Sequence, residues 1–190
     1  MSWKTLKFRL DGDCPLLMHN GQLANPLSEG AKALKKVSNK RAKVDADHEK
    51  MAELEFAYSL YLDENGPAIP GEVIEAAICE GAKKTKEGKV AKSACVVPTL
   101  SSLEYDGPRN PEELYADKRF VKSAMVRVTT NRVVRTRPMF KTWGLTTEVE
   151  YEDSVCSEEQ VERWLTTSGK LVGIGDWRPR YGRFTAVLVK

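Results

Sequence analysis

The feature that most constrains the fold lies near the end of the chain, where residues 173–184 are rich in glycine and follow a predicted helix. That helix is indicated by a capping box at Ser157–Gln160, and an apolar strand is predicted at Thr185–Val189. The intervening loop is therefore presented by rigid elements on both sides. Its backbone can turn tightly, or approach a partner closely, at three glycines, Gly173, Gly175 and Gly182.

The side chains of this loop have the chemistry of a site that holds a nucleic-acid strand. Arg178, Arg180 and Arg183 are interleaved with Trp177 and Tyr181. Guanidinium groups pair with phosphate, and aromatic faces stack on bases. An alternative remains open, in which the loop is a long turn whose aromatic side chains pack on the core and whose arginines are merely solvated.

The rest of the chain alternates between strand-like and helix-like segments. Helical spacing of Val73, Ile74, Ala77 and Ile78 predicts an amphipathic helix over Gly71–Lys84. A hairpin tip is predicted at Asn131–Arg132. Strands are predicted at Trp3–Leu10, Glu55–Leu62, Ala94–Tyr105, Val121–Thr130, Val133–Arg137 and Phe140–Tyr151. This order predicts an α+β fold, a ferredoxin-like or RRM-like antiparallel sheet with helices on one face.

The domain prediction is a single RRM-like domain over residues 1–190, with a long basic insertion at 22–55. Leu27–Lys43 is lysine-rich with scattered apolar positions, which indicates a marginal helix or a mobile loop. Asp47–Glu55 is typical of a short helix. Such an insertion is either a segment that orders on binding or a tolerated surface loop.

Charge is segregated along the chain, although the net charge is only +3. Residues 148–162 carry seven acids and no base, which indicates an acidic face and a basic face on one body. Residues 118–147 carry eight bases and no acid, among them Arg127, Arg132, Arg135 and Arg137. We expect these four arginines to run under a phosphate backbone. A second basic patch, Lys32–Lys43, would close over it through Lys35, Lys36, Lys40 and Arg41. Protection of a strand edge by exposed charge is the alternative for the arginines.

Catalytic and cofactor signals are weak. No phosphate-binding Walker loop, nucleophile elbow, H-E-x-x-H or dinucleotide fingerprint occurs, and we predict neither a cofactor nor a metal site. The four cysteines are far apart, which argues against a zinc knuckle and against a disulfide framework. His19, in His-Asn-Gly, is a weak catalytic candidate, since a lone histidine at a turn is more often structural. The absence of a signal-peptide pattern and of a long apolar run favours the cytoplasm of a bacterial or phage-infected cell.

Two segments carry a family resemblance. Pro67–Ile78, which begins Pro-Ala-Ile-Pro-Gly, resembles the I-P-G-S-S-L-K-G-x-I-R segment of the RAMP superfamily of CRISPR-associated RNA-binding proteins. Gly173-Ile-Gly175, with Arg178, Arg180, Gly182 and Arg183, resembles the C-terminal glycine-rich loop of that family. The resemblance is to the backbone type of subunit. It is also compatible with a bacteriophage-encoded relative of such subunits. It implies an RRM-like fold with an inserted thumb, and repeated subunits along one strand.

These observations predict a non-catalytic protein that binds single-stranded nucleic acid, RNA before DNA, and oligomerises along the strand. Two alternatives remain. The first is a phage or assembly protein that stacks head-to-tail through its two charged faces without nucleic acid. The second is a metal-independent endoribonuclease that uses His19, since some members of the RAMP superfamily use a histidine as a general acid or base.

Overall fold

The computed structural model describes residues 2–128 and 131–189. The chain divides into two compact units. The first is formed by Met1–Leu17, Leu62–Asp106 and Phe140–Lys190, and the second by Met18–Tyr61 and Gly107–Met139. The predicted insertion at 22–55 falls in the second unit, together with the segment that contains the basic arginines.

The described residues form ten strands and six helices. The strands are β1 (Trp3–Gly12), β2 (Leu16–Leu17), β3 (Leu62–Asp63), β4 (Gly66–Ile69), β5 (Cys95–Val96), β6 (Ser101–Ser102), β7 (Val121–Val128), β8 (Asn131–Phe140), β9 (Gly144–Glu152) and β10 (Phe184–Val189). The helices are α1 (Glu29–Ser38), α2 (Asp45–Ser59), α3 (Gly71–Lys83), α4 (Gly88–Ala94), α5 (Pro111–Ala116) and α6 (Glu158–Leu171).

The main sheet of the first unit has the strand order β10-β1-β9-β5, and all of its neighbouring pairs are antiparallel. Helix α3 lies in the connection from β1 to β5, and helix α6 lies in the connection from β9 to β10. The order is therefore strand, helix, strand, strand, helix, strand, with the first and third strands at the centre of the sheet. This arrangement is ferredoxin-like, and it confirms the predicted α+β fold with an antiparallel sheet.

The core of the first unit follows from alternation along the strands. Leu6, Phe8 and Leu10 of β1 are buried, whereas the intervening Lys7 is exposed. Helices α3 and α6 each bury a stripe, which includes Ile78 and Trp164. Each large apolar side chain that is removed from water contributes about 1.5–3 kcal/mol. This burial, together with the antiparallel ladder, fixes the position of the loop between α6 and β10.

The second unit packs α1, α2 and α5 with the β7–β8 hairpin. The Ser28 hydroxyl accepts a hydrogen bond from the Ala31 N–H at 3.2 Å and caps α1. Phe56 of α2 and Tyr115 of α5 bring their ring centroids to 5.3 Å. The hairpin pairs Met125 with Val134 in antiparallel register.

Three local predictions were wrong. Glu55–Leu62 is not a strand, because Glu55, Phe56 and Ser59 are buried on one face of α2 and only Leu62 enters a strand. The lysine-rich segment Thr85–Lys92, which its composition predicts to be a loop, contains the start of α4. The long strand Ala94–Tyr105 is reduced to β5 and β6, since the Val97–Leu100 segment that contains Pro98 interrupts the ladder.

Two predictions were imprecise. Residues 27–43 contain the regular helix α1, not merely a marginal one. Asn131 and Arg132, predicted as a hairpin tip, belong to β8, with Arg132 opposite Arg127. The last two residues of the predicted strand Val121–Thr130 lie outside the described residues.

Candidate nucleic-acid interface

The glycine-rich loop, residues 172–183 between α6 and β10, is fixed by its own backbone hydrogen bonds. The Ile174 N–H donates to the Gly182 carbonyl at 2.8 Å. The Gly182 N–H donates to the Pro15 carbonyl at 2.9 Å, and the Asp176 N–H donates to the Leu17 carbonyl at 2.8 Å. The loop is therefore attached to the segment that follows β1, which makes it a rigid platform and not a free turn.

The loop glycines serve this closure. Gly173, Gly175 and Gly182 have φ angles of +77°, +80° and +74°, which favour glycine. A Cβ atom at Gly182 would lie 1.7 Å from the Ile174 carbonyl oxygen. A Cβ atom at Gly175 would lie 2.3 Å from the Leu17 carbonyl oxygen. The close approach that the sequence predicted is thus made to the protein's own backbone.

The cationic and aromatic side chains of the loop remain accessible. Arg178, Arg180 and Arg183 are exposed, and Trp177 and Tyr181 are half-buried. The Trp177 and Tyr181 ring centroids lie 6.0 Å apart. The loop therefore places three guanidinium groups beside two partly exposed aromatic rings, which is the combination that holds a phosphate backbone and stacks bases.

The β7–β8 hairpin of the second unit carries a second cationic pair. Arg127 and Arg132 are exposed and directly opposite in the ladder. Like charges at opposite positions of a strand pair repel each other. On the same face, Met125 and Val134 are 66% and 61% exposed.

Arg135 and Arg137 have different surroundings, because both face the buried carboxylate of Glu55 on α2. Arg135 Nη1 donates to Glu55 Oε1 at 2.5 Å, and the Thr136 N–H donates to Oε2 at 2.9 Å. Arg137 is buried, with its Nη1 atom 3.9 Å from Oε2. These two arginines attach the hairpin to α2, and burial keeps Arg137 away from an incoming phosphate. The sequence pattern did not identify Glu55 as the partner of these arginines. The available signal was a carboxylate next to apolar residues, which needs a cationic partner if it is buried.

The cations of residues 32–43 divide in a similar way. Lys35, Lys36 and Arg41 are exposed. Lys40 Nζ lies 2.5 Å from Asp47 Oδ1. The hydrogen bond from Lys40, followed by the one from the Val44 N–H, lowers the pKa of Asp47. Lys40 thereby contributes to the start of α2.

The weak catalytic candidate His19 has structural contacts, and so do two acids that precede it in the sequence, Asp11 and Asp13. His19 is half-buried, and its carbonyl accepts a hydrogen bond from the Tyr61 hydroxyl at 3.4 Å. Asp11 accepts from Arg9 Nε at 2.9 Å, and Asp13 accepts from the Thr185 hydroxyl at 3.0 Å. Within residues 2–128 and 131–189, no group of three or more His, Cys, Asp or Glu side chains is arranged to hold a metal ion.

The open face of the main sheet, formed by the alternate residues that point away from its buried face, lacks the features of a base-stacking platform. RRM domains stack bases on aromatic side chains of the sheet. Here Lys7 of β1 is paired in register with Glu148 of β9. Arg9 Nη1 lies 2.5 Å from Glu104 Oε1. The exposed aromatic residue of β1 is Trp3, at the end of the strand and opposite Glu152. Because acids accompany the cations of this face, the loop is the better candidate for binding a polyanion.

The sixteen predicted binding residues therefore fall into two groups. The loop residues Gly173, Gly175, Trp177, Arg178, Arg180, Tyr181, Gly182 and Arg183 lie together in the first unit. Arg127, Arg132, Arg135, Arg137, Lys35, Lys36, Lys40 and Arg41 lie in the second unit.

Several solved structures are similar to this chain, and Cmr6 is one of them. A crystal structure of Cmr6 from Pyrococcus furiosus matches with a TM-score of 0.45 and 9% sequence identity, over 98% of this chain and 100% of that chain. At that score and identity, the likeness decides neither the family nor the function. No protein-family model and no curated protein matches the sequence. Among the described residues, no helix combines the length and hydrophobicity needed to cross a bilayer.

Proposed function

We propose that this protein is a non-catalytic binder of single-stranded nucleic acid, RNA before DNA, and that the glycine-rich loop is its principal contact. One observation carries the proposal. Three exposed arginines stand beside Trp177 and Tyr181 on a loop whose backbone is hydrogen-bonded at both ends. A rigid loop loses little conformational entropy when it binds, so its guanidinium groups are available at low cost.

A second contact is proposed in the second unit. Arg127 and Arg132 at the exposed end of the hairpin, with Lys35, Lys36 and Arg41, supply its accessible cations. We propose that residues 22–55 act as an inserted thumb within an RRM-like domain, as the family resemblance implies. Arg135, Arg137 and Lys40 are left out of the proposed contact, because carboxylates of α2 already face them.

The preference for RNA and the oligomerisation along the strand rest on the resemblance to the RAMP superfamily. The Ile-Pro-Gly segment supports that resemblance, because strand β4 ends at Ile69 and helix α3 begins at Gly71. Repeated subunits along one strand would each present the same loop. Head-to-tail contact between charged faces would serve the same assembly.

The proposal is tested by removing the three loop cations together, in the Arg178→Ala/Arg180→Ala/Arg183→Ala variant. We expect weaker binding to single-stranded RNA of every sequence. We also expect the slope of log K against log salt concentration to fall by about 0.7 for each lost phosphate contact. Fluorescence anisotropy at several salt concentrations, with RNA, DNA and duplex probes, measures both quantities.

A matched control removes three exposed lysines elsewhere, Lys7→Ala/Lys89→Ala/Lys92→Ala, and makes the same change in net charge. Equal losses of affinity in the two variants would mean that the loop arginines act only through the net charge. Unchanged binding in the loop variant, with its circular dichroism intact, would remove the loop from the site. Discrete multimers without any nucleic-acid binding would favour the assembly alternative. RNA cleavage in the presence of a chelator, abolished by His19→Ala, would favour the endoribonuclease.

A further inference from the structure

A cleft of about 620 Å³ opens beside the glycine-rich loop, and its full extent lies within the first unit. Its walls come from the C-terminal half of α3, the end of α6 and the loop itself. Ligand clefts for small molecules span roughly 300–1,000 Å³, so this one is large enough for a single nucleotide. The lining includes Glu80, Lys84, Leu171, Asp176, Trp177 and Arg178.

One wall of the cleft is apolar and aromatic. Trp177 and Leu171 line it, and Leu171 is 57% exposed. Trp177 has a φ angle of +53°, an unfavourable value for a tryptophan backbone. The Trp177 N–H donates to Asp176 Oδ1 at 3.0 Å, and the Trp177 carbonyl accepts from the Tyr181 N–H at 3.3 Å. Strain of this kind is retained where the surrounding structure imposes it, and here it keeps an indole ring in the cleft wall.

The other lining groups carry both signs of charge. Lys84 and Arg178 supply cations, and Glu80 and Asp176 supply carboxylates. The hydrogen bond from Lys83 holds the pKa of Glu80 below its usual value, and Arg178 adds to this effect. Glu80 is therefore an ionised group that only accepts hydrogen bonds. Its exposed pairing with Lys83, one turn away, is weak and exchangeable.

A ligand that satisfies these groups needs a flat ring to stack on the indole, adjacent N–H donors for the carboxylate of Glu80 and a negative charge for the two cations. Among the RNA bases, guanine presents two adjacent donors, N1–H and N2–H, on its Watson–Crick edge. Adenine and cytosine present one exocyclic amine, and uracil presents one N–H. A single carboxylate can accept both guanine donors through its two oxygens.

We propose that this cleft binds one guanine nucleotide of the strand. The base stacks on Trp177, its Watson–Crick edge faces Glu80, and its phosphate lies against Arg178 and Lys84. The inference rests on the proposed function, because it gives the same loop a base-selecting position. Asp176 accepts a hydrogen bond from the backbone N–H of Trp177 and so holds the backbone that carries the indole.

The first experiment titrates the protein with the monophosphates GMP, IMP, AMP, CMP and UMP and follows tryptophan fluorescence. Trp143 and Trp164 are only 3% and 1% exposed, so a nucleotide can quench the fluorescence of Trp177 or Trp3. The Trp177→Phe variant shows which of the two is quenched. We expect GMP to bind roughly tenfold more tightly than IMP, which lacks the N2 amine, because a hydrogen bond to a charged acceptor is lost. Equal binding of GMP and IMP would overturn the inference.

The second experiment compares Glu80→Gln with Glu72→Gln, an exposed glutamate on the same helix. Glu80→Gln should abolish the difference between GMP and IMP, whereas Glu72→Gln should leave it unchanged. A preference for guanine that survives Glu80→Gln would overturn the assignment of Glu80.

Oligonucleotides separate the two proposals. A uridine tract with one central guanosine should bind more tightly than the same tract with inosine. Equal binding of the two tracts, still weakened by loss of the loop arginines, would overturn the guanine cleft and leave the proposed function standing. Selective GMP binding without binding of any oligonucleotide would support the cleft and overturn the proposed function.

Discussion

At the scale of single residues, Glu87 shows how one carboxylate can hold two elements together. It lies just before α4 and accepts hydrogen bonds from three side chains of α6. The donors are Trp164 Nε1 at 2.8 Å, Gln160 Nε2 at 3.1 Å and Arg163 Nη2 at 2.7 Å. The Thr85 hydroxyl donates as well. The hydrogen bonds from Thr85 and Trp164, followed by those from Gln160 and Arg163, lower the pKa of Glu87 to about 2.

This shift predicts a pH dependence of stability with a definite sign. The pKa of Glu87 is lower in the folded state than the 4.5 expected after unfolding, so its contribution is complete above pH 4.5 and is lost as the pH falls toward about 2. Glu87→Gln should therefore have a lower Tm than the wild type at pH 7, and the difference should shrink toward pH 2. Thermal unfolding at a series of pH values measures this. A difference that is constant over the whole range would contradict the assignment, and Glu72→Gln is the control.

At the scale of elements, Glu55 attaches the β7–β8 hairpin to α2 within the second unit. It accepts hydrogen bonds from Arg135 and from the Thr136 N–H, and it lies near Arg137. Glu55→Gln should destabilise this unit by about 1–3 kcal/mol, because charge-assisted hydrogen bonds are lost around a buried group. In hydrogen exchange, the substitution should accelerate the amides of the hairpin more than the amides of β1.

The control for this prediction is Glu53→Gln, which changes a glutamate two residues away whose side chain is 45% exposed and pairs with Lys50. Its effect should be within about 0.5 kcal/mol, as for other surface substitutions. Uniform acceleration of exchange in both units would mean that Glu55 does not act on the hairpin in particular.

Much of the fold was predictable from the sequence, because α3, α6 and the strands β1, β9 and β10 follow one dominant period. The capping box at Ser157 is present, with the Gln160 N–H donating to the Ser157 hydroxyl at 3.3 Å. The C-terminal half of α2 was not predictable in this way. Glu55-Phe-Ala-Tyr-Ser-Leu-Tyr-Leu62 alternates like a strand, and tertiary packing of Phe56 against Tyr115 decides in favour of the helix.

The candidate site was predictable only in part. Arginines interleaved with aromatic residues indicated the loop, and its helix and strand boundaries followed from local patterns. The roles of Arg135 and Arg137 depend on Glu55, about 80 residues away in sequence. The cleft depends on Glu80 and Trp177 meeting through the packing of α3 against the end of α6. A local pattern contains no information about such distant partners.

At the scale of the whole molecule, two surfaces of the first unit differ in the charges that they carry. The open face of the main sheet carries Glu148 and Glu150 from β9, whereas the glycine-rich loop carries exposed arginines. Because Lys7 and Arg9 share the open face with these glutamates, a polyanion is attracted more strongly by the loop than by this face. A strand should therefore be held at the loop and not across the sheet.

The most direct test of this claim is photo-crosslinking of the full chain to a single-stranded RNA that contains 4-thiouridine, with the crosslinked peptides identified by mass spectrometry. We expect crosslinks at Trp177 or Tyr181 in the glycine-rich loop, and their loss at high salt. Crosslinks confined to Trp3 and its neighbours on the open face of the sheet, with none in the loop, would contradict the proposed interface.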